Sequence, residues 1–385
     1  VSRFSWITSG ESHGPSMAAV LEGLPAGLAL DLAAVDADLA RRQLGYGRGG
    51  RMKIERDQVE VLSGLKGGVT LGSPLTLLVR NRDAVIERLP QVAAPRPGHA
   101  DLAGCMKYGH RDGRAVLERA SARETAPRVA AGAVARQLLG AFGIEVFAFV
   151  LEVGGVPEAP PDGEAQWQAA GERRHEIRAC SAFHGLDPAL EGAWVAAVDA
   201  ARAAQDSLGG VFEVRVTGLP PGLGSYQSPP DRLTARLGAA LFSIPAIKGV
   251  EVGLGFEAGR RPGSLVHDPI LPAEAGSPTR FRRGSNRAGG LEGGLTTGED
   301  LVLRAAMKPI PSLRQGMPSV DMETGEPRDA TYQRSDVTSV PAASVVAEAV
   351  VALALAEAFL EKYGGDSMEQ VEAAFEHHRG QLRDL

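Results

Sequence analysis

Cysteine is scarce in this chain: two residues among 385, Cys105 and Cys180. Two isolated cysteines offer neither a disulfide framework nor the spacing of a metal site. They fit a reducing, cytoplasmic compartment. Positive charge is also short, with a formal net charge of −6. That argues against a general nucleic-acid binder and leaves room for a locally basic pocket. No strand–GxGxxG–helix fingerprint of a dinucleotide fold occurs. The N-terminal residues lack the basic-then-apolar pattern of a signal peptide. No low-complexity linker divides the chain, which reads as one large domain over residues 1–385.

Glycine (48) and proline (25) are abundant, so tight turns and shaped loops matter here. A hydrophobic content of 44% and a charged content of 23% are those of an ordinary soluble globular protein. The longest apolar stretch, Val340–Leu360, opens with Ser339-Val340-Pro341, a helix-start pattern, and stops at Gly364-Gly365. It predicts a long helix buried inside the protein. A bilayer span is the competing reading, and Glu348 and Glu357 count against it.

Strand patterns occur at Phe4–Ile7, Met17–Leu21, Val59–Leu62, Leu75–Val79, Val211–Val216, Val250–Leu254 and Leu301–Ala305. Helix patterns occur at Leu32–Leu44, Ser121–Phe142, Asp231–Ser243 and Pro341–Tyr363. Asp31 and Asp231 are candidate N-caps. Ser121 and Glu124 have capping-box spacing, with Pro127 in the first two turns. Residues 155–175, rich in Pro, Glu, Ala and Gly, read as an exposed surface excursion. Gly23-Leu-Pro-Ala-Gly-Leu28 and Gly218-Leu-Pro-Pro-Gly-Leu223 each follow a strand and precede an Asp and a helix. That echo fits an internal duplication with pseudo-twofold symmetry; chance recurrence of a common turn is the alternative.

The residues able to do chemistry fall in glycine- and arginine-rich segments. Gly10-Glu-Ser12-His13-Gly14 sets an imidazole in a turn where backbone can approach a ligand closely. Arg41, Arg42, Arg48, Arg51 and Lys53 put five cations in thirteen residues. The helix macrodipole explains the first two. Arginines in a glycine loop point instead to carboxylate or phosphate. Arg96-Pro-Gly-His99-Ala-Asp101 presents a second histidine, and His110 follows. Glu118-Arg119-Ala120-Ser121-Ala-Arg123-Glu-Thr opens a helix, and its N–H groups and cations form an anion site; Ser121 also reads as a plain helix cap. Ser285-Asn286-Arg287-Ala-Gly-Gly and Lys308-Pro309-Ile310-Pro311-Ser312 are shaped loops. Arg334-Ser335-Asp336 precedes the apolar helix.

This ordered set, spread across nearly the whole chain, resembles chorismate synthase. The resemblance implies an α+β fold with long helices sandwiched between antiparallel sheets, assembled as a homotetramer. It implies a lyase that converts 5-enolpyruvylshikimate 3-phosphate to chorismate by 1,4-anti elimination. Reduced FMN is then required without net redox change and comes from an external source. By the same resemblance His13 is the acid at the departing phosphate, His99 the second catalytic histidine, and Asp336 the carboxylate that assists loss of the C6 proton. Arg42, Arg48, Arg51, Arg96, Arg123 and Ser12 hold the substrate. Arg119, Ala120, Ser121, Ala246, Asn286, Gly293, Lys308, Pro309, Ile310, Pro311, Ser312 and Arg334 contact the flavin. The chain departs from the family at Pro245, where an amide side chain is usual, and in a short segment between Asn81 and Arg96. Two other readings stay open: an NAD(P)H-dependent flavin oxidoreductase, and an anion-binding protein without catalysis. The first would need a nicotinamide site; the second leaves His13, His99 and Asp336 without a task.

Overall fold

Period-two alternation in two N-terminal strands puts Met17, Ala19, Leu21, Leu75, Leu77 and Val79 on one face, and all six are buried. The computed structural model describes residues 4–49, 56–158, 162–274, 276–333 and 336–384. The N-terminal half runs β1 (Ser5–Ser9), β2 (Ser16–Glu22), α1 (Leu32–Gln43), β3 (Val59–Ser63), a small hairpin β4 (Leu65–Lys66) and β5 (Val69–Thr70), and β6 (Leu75–Arg80). Helices α2 (Asp101–Tyr108), α3 (Arg114–Ala120) and α4 (Thr125–Gly140) follow. The strands form an antiparallel sheet in the order β1-β2-β6-β3.

The C-terminal half repeats this plan with insertions. It runs β7 (Glu145–Val153), α5 (Gly163–Ala170), α6 (Arg174–Cys180), α7 (Glu191–Ala203), β8 (Gly210–Thr217), α8 (Leu233–Phe242) and β9 (Ile247–Val252). The hairpin β10 (Ile270–Pro272) and β11 (Phe281–Arg283) comes next, then the hairpin β12 (Leu291–Glu292) and β13 (Leu295–Thr296), and β14 (Leu301–Met307). The last hairpin, β15 (Pro318–Val320) and β16 (Pro327–Asp329), precedes α9 (Val340–Tyr363) and α10 (Met368–Asp384). The second sheet has the matching antiparallel order β7-β8-β14-β9.

Side-chain bonds carry the duplication as well as strand order. Thr70 Oγ1 accepts from Leu28 N (2.9 Å) and donates to Pro25 O (2.7 Å). Thr296 Oγ1 accepts from Leu223 N (2.8 Å) and donates to Pro220 O (2.7 Å). Both GLPxGL turns are thus locked by a threonine in an equivalent hairpin.

The layers are sheet, helices, helices, sheet. α4 packs on β2 and β6, α9 on β7 and β8, and α4 and α9 meet in the middle. Close approach there requires glycine: a Cβ on Gly132 would stand 2.4 Å from Ala349 Cα. α9 is long and apolar enough to cross a membrane, yet 83% of its most apolar window is buried in the protein. A core helix between two sheets needs apolar residues on every side, which accounts for its composition.

Several expectations are corrected. The helix expected from Ser121 begins at Thr125, after a 3-10 turn over Ala122–Glu124. Ser121 caps that turn by accepting from Arg123 N, and Glu124 pairs with Arg128 (2.8 Å). Asp31 caps α1 through Ala33 N, whereas Asp231 does not cap α8, whose N-cap is Arg232. Asp231 lies in a 3-10 turn and pairs with Arg236. The strand expected at Val250–Leu254 is Ile247–Val252. Residues 155–175 are more than an excursion. They supply α5, whose Trp167 packs on Phe147 and Phe149 and covers the outer face of the second sheet.

Candidate active site

Both central helices begin beside one cluster of arginines. Arg42, in the last turn of α1, donates from Nη1 to Oγ1 of Thr125, the first residue of α4 (3.5 Å). Arg48 donates from Nη1 to Oγ of Ser339, just before α9 (3.1 Å). A helix N-terminus carries about half a positive charge, so dipoles and guanidinium groups act in one direction here.

Asp57, whose side chain has no solvent exposure, bridges two of these arginines. It accepts from Arg42 Nη2 (2.7 Å) and from Arg123 Nη1 (2.6 and 2.8 Å). Arg123 Nε donates to Asn81 Oδ1 (2.8 Å), and Asn81 Nδ2 donates to the carbonyls of Glu11 and Gly14. The arginines and the Gly10–Gly14 turn therefore share one scaffold. Gly10 has φ of +108°, and a Cβ there would meet Ser16 O at 2.4 Å, so the turn admits only glycine.

Among the described residues, Arg42 and Arg123 share the carboxylate of Asp57. Burial, and then the fields of Arg123 and Arg48, push the Arg42 guanidinium down to about 10 against the pull of Asp57. Its Nε is buried with no acceptor among the described residues. A buried cationic donor without an acceptor is costly, and an anionic ligand oxygen would satisfy it.

His13 is held from behind. Its Nδ1 lies 3.1 and 3.0 Å from the two carboxylate oxygens of Glu118 on α3, and its backbone N–H donates to Glu118 Oε2 (2.8 Å). Burial would raise the Glu118 carboxyl, but the bonds from His13 and Arg114 outweigh it and lower it. Ser121 Oγ lies 3.1 Å from Ser12 Oγ, linking the turn to the 3-10 cap. Asp336 pairs with Arg48 (2.6 Å) and also accepts from Gly49 N (2.5 Å) and Ser339 Oγ (2.7 Å).

A second cluster gathers around His99. Asp101, fully buried at the start of α2, accepts from Arg96 Nε (2.8 Å) and faces His99 Nδ1 (2.5 Å). Against the effect of burial, those bonds hold its carboxyl well below the usual range. Arg96 also donates from Nη1 to Ser312 Oγ (2.9 Å). A Cβ on Gly98 would lie 3.5 Å from Lys308 Nζ, so Lys308 faces this turn. Burial, with Lys248 nearby, lowers the Lys308 ammonium. Ser207 Oγ donates to Ile310 O (2.7 Å), and Leu208 N to Val337 O (2.8 Å). Residues 207–208 thereby tie the Lys308-Pro309-Ile310-Pro311-Ser312 loop to the residue after Asp336. Lys308 N donates to the carbonyl of Ala246, which has φ of +72°.

The bond network thus joins Ser12, His13, Arg42, Arg48, Arg123, Ser121 and Asp336, and, through the 207–208 tie, Arg96, His99, Lys308 and Ser312. Arg119, next to Ala120 at the end of α3, is spent on the carbonyls of Thr8 and Gly10. Asn286 braces its own loop through Asp300 O and Gly290 N. It lines a cavity of about 600 Å3 with Glu213, Arg215 and Arg304, on the outer face of the second sheet. Gly293 has φ of +61° beside β12. Arg51 and Arg334 lie outside the described residues. His110 is exposed against Tyr108.

Sequence reasoning missed Asp57, Glu118 and Asn81 as functional partners. Glu118 stood inside a segment rich in candidates, directly before Arg119. Asp57 and Asn81 stand in short polar runs at strand ends, Arg56-Asp57-Gln58 and Arg80-Asn81-Arg82-Asp83, and nothing local sets them apart. A larger cavity, about 1450 Å3, lies elsewhere, lined by Gly23, Leu24, Gly224, Arg236, Glu361 and Gly365. It flanks the C-terminal end of α9, about 36 Å along the helix from Ser339 at 1.5 Å per residue. This larger cavity and the arginine cluster therefore lie at different ends of α9.

Comparison with known proteins agrees with this geometry. The family model described as chorismate synthase matches residues 4–360. The chorismate synthase of Trichlorobacter lovleyi is 54% identical over 399 residues, covering 99% of this chain and 100% of that protein. That of Geobacter sulfurreducens is 52% identical, with 98% and 99% covered, and that of Rubrobacter xylanophilus 53%, with 98% and 96%. A crystal structure of chorismate synthase superposes with a TM-score of 0.82 at 41% identity, covering 100% of both chains. A bond network that links the histidine and arginine turns, on a fold shared from end to end, leads to one conclusion: this chain is an enzyme of the chorismate synthase family.

Proposed function

We propose that the chain converts 5-enolpyruvylshikimate 3-phosphate to chorismate and phosphate by 1,4-anti elimination, with reduced FMN required and not consumed. The observation that carries this reading is the arginine nest around Arg42, whose buried Nε has no acceptor among the described residues. A substrate with a phosphate and two carboxylates supplies the missing oxygens. Arg42, Arg48, Arg96 and Arg123 bind and orient it, and arginine keeps its charge when desolvated. Such a site gains most of its rate by neutralising charge on the departing phosphate. His13 delivers a proton to the leaving phosphate oxygen, and Asp336 assists removal of the C6 proton.

The residues present fit a flavin phosphate and a flat ring. Lys308 and Ser312 are donors on one loop, and Gly98 faces Lys308 without a side chain. Lys308 and Ser312 would hold reduced FMN, which would supply electron density for C3–O cleavage with no net redox change. Self-association belongs to the same reading. Ile7 and Leu62 on the outer face of the first sheet are 68% and 60% exposed, whereas α5 covers the equivalent face of the second.

Oxygen-free assays with substoichiometric, chemically reduced FMN test the reaction. Many chorismates and phosphates should form per flavin, and the flavin should remain reduced when substrate is exhausted. One flavin oxidised per product would sink the lyase reading and favour an oxidoreductase.

A further inference from the structure

Among the described residues both histidines of the site have a buried carboxylate at Nδ1, and His13 also donates its backbone N–H to that same carboxylate. Glu118 takes its ring Nδ1 at 3.0 Å and its backbone N–H at 2.8 Å, fixing the residue at two points. Glu118 is 2% exposed and is itself gripped from behind by Arg114 Nη1 (3.3 Å). Arg114 in turn is anchored through Nε and Nη2 on Pro90 O (3.2 and 3.1 Å). Ser12 N donates to Glu118 O (2.9 Å), so the same residue also sets the turn's backbone. The chain Pro90–Arg114–Glu118–His13 runs from the short 81–96 segment to the imidazole.

Resting on the assignment of His13 to the leaving phosphate, we propose that Glu118 is a positioning residue. It holds the His13 ring with Nδ1–H toward its carboxylate, so that Nε2, on the opposite side of the ring, is the atom that exchanges a proton with the phosphate. Charge and geometry support this together. An ionised carboxylate within hydrogen-bond reach favours the protonated imidazole. A ring whose Nδ1 is committed can exchange a proton with a ligand only through Nε2. The charged groups facing His13 among the described residues are few. Glu118, with Arg114 behind it, lies on α3; Asp83, whose Oδ2 is 3.9 Å from Nε2, lies beyond β6; Glu11 lies in the same turn. Asp83 lies on the Nε2 side and its side chain is 36% exposed. Glu118 acts from the buried side.

The test reads the ring itself. In ligand-free wild-type protein labelled with ring 15N histidine, the neutral form of His13 should be the Nδ1–H tautomer. Glu118→Gln keeps the size and an acceptor oxygen for Arg114 while removing the charge. It should loosen the ring, so that the share of the Nδ1–H tautomer falls. With saturating reduced FMN, kcat should fall by about tenfold or more while the substrate KM changes little, and Glu118→Asp should restore part of the loss. An unchanged tautomer in Glu118→Gln, or an Nε2–H tautomer in the wild type, overturns the proposal. The wild-type tautomer measurement stands even if Glu118→Gln does not fold. A shifted tautomer with an unmoved kcat keeps the Glu118–His13 link and instead removes His13 from the role of acid.

Discussion

Each polar residue in the site does two things, and the pairings show which properties separate on mutation. Asp336 is written in sequence beside Arg334, yet in the structure it grips Arg48, Gly49 N and Ser339. Asp336→Asn keeps the shape, removes the basic carboxylate, and leaves the charge of Arg48 less neutralised. Substrate affinity should therefore hold, while turnover falls by roughly 10²–10⁴-fold if the carboxylate assists deprotonation. A C6-deuterated substrate should then show a larger isotope effect in the variant. Separate titrations and rate measurements check both parts. Full activity in the Asn variant would reduce Asp336 to a structural partner of Arg48.

At the scale of elements, neighbouring residues on one helix serve different ends. Arg42 at the end of α1 enters the anion nest, while the adjacent Arg41 turns inward to Glu348 on α9 and Asp38. The α4–α9 contact decides how closely the halves approach. Gly132→Ala drives a methyl against the Ala349 backbone, which cannot yield as a flexible side chain would. Urea denaturation should show a loss of about 1–3 kcal/mol. Gly140→Ala, at the other end of the same helix with nothing within 4 Å, should be neutral or gain less than about 1 kcal/mol. Equal effects at both positions would mean that helix propensity, not the crossing, sets the outcome.

At the scale of the molecule, a buried ionic knot joins the two halves. Glu348 pairs with Arg41, Arg178 and Arg136, and accepts from Ala148 N (2.7 Å). Burial alone would raise its carboxyl, but the three guanidinium groups hold it far below its ordinary 4.5. A depressed carboxylate stabilises the fold above about 4.5 and loses that contribution as pH falls further. His184 adds a window above this. Burial, with Arg41 nearby, pushes it down to about 4 from 6.5, and its Nδ1 lies 3.2 Å from Pro341 O. Between those values the unfolded chain binds more protons, so stability falls with pH from about 6.5 to about 4. The total is about 3 kcal/mol at 1.36 kcal/mol per unit. His184→Asn tolerates the local φ of +60° and removes the titration. Denaturation midpoints across pH should flatten above 4.5 in the variant and still drop below it. An unaltered slope would assign that window to other groups.

Local pattern determined much of this protein. Period-two strands, the Asp31 cap, the long apolar run of α9 and the repeated GLPxGL turns are short-range features, and each turn, cap or alternation is chosen by a few neighbouring residues. The arginine-rich and histidine turns were legible for the same reason: their residue types narrow the chemistry. Tertiary structure alone decided who pairs with whom. Asp57 reaches Arg123 across 66 positions and Glu118 reaches His13 across 105. Such partners carry no periodicity, because a carboxylate's value to a buried cation depends on distance in space and on excluded water. The divergence of Arg41 from Arg42 has the same origin: adjacent residues on a helix point about 100° apart, and only packing against α4 and α9 determines which one meets Glu348 and which Asp57.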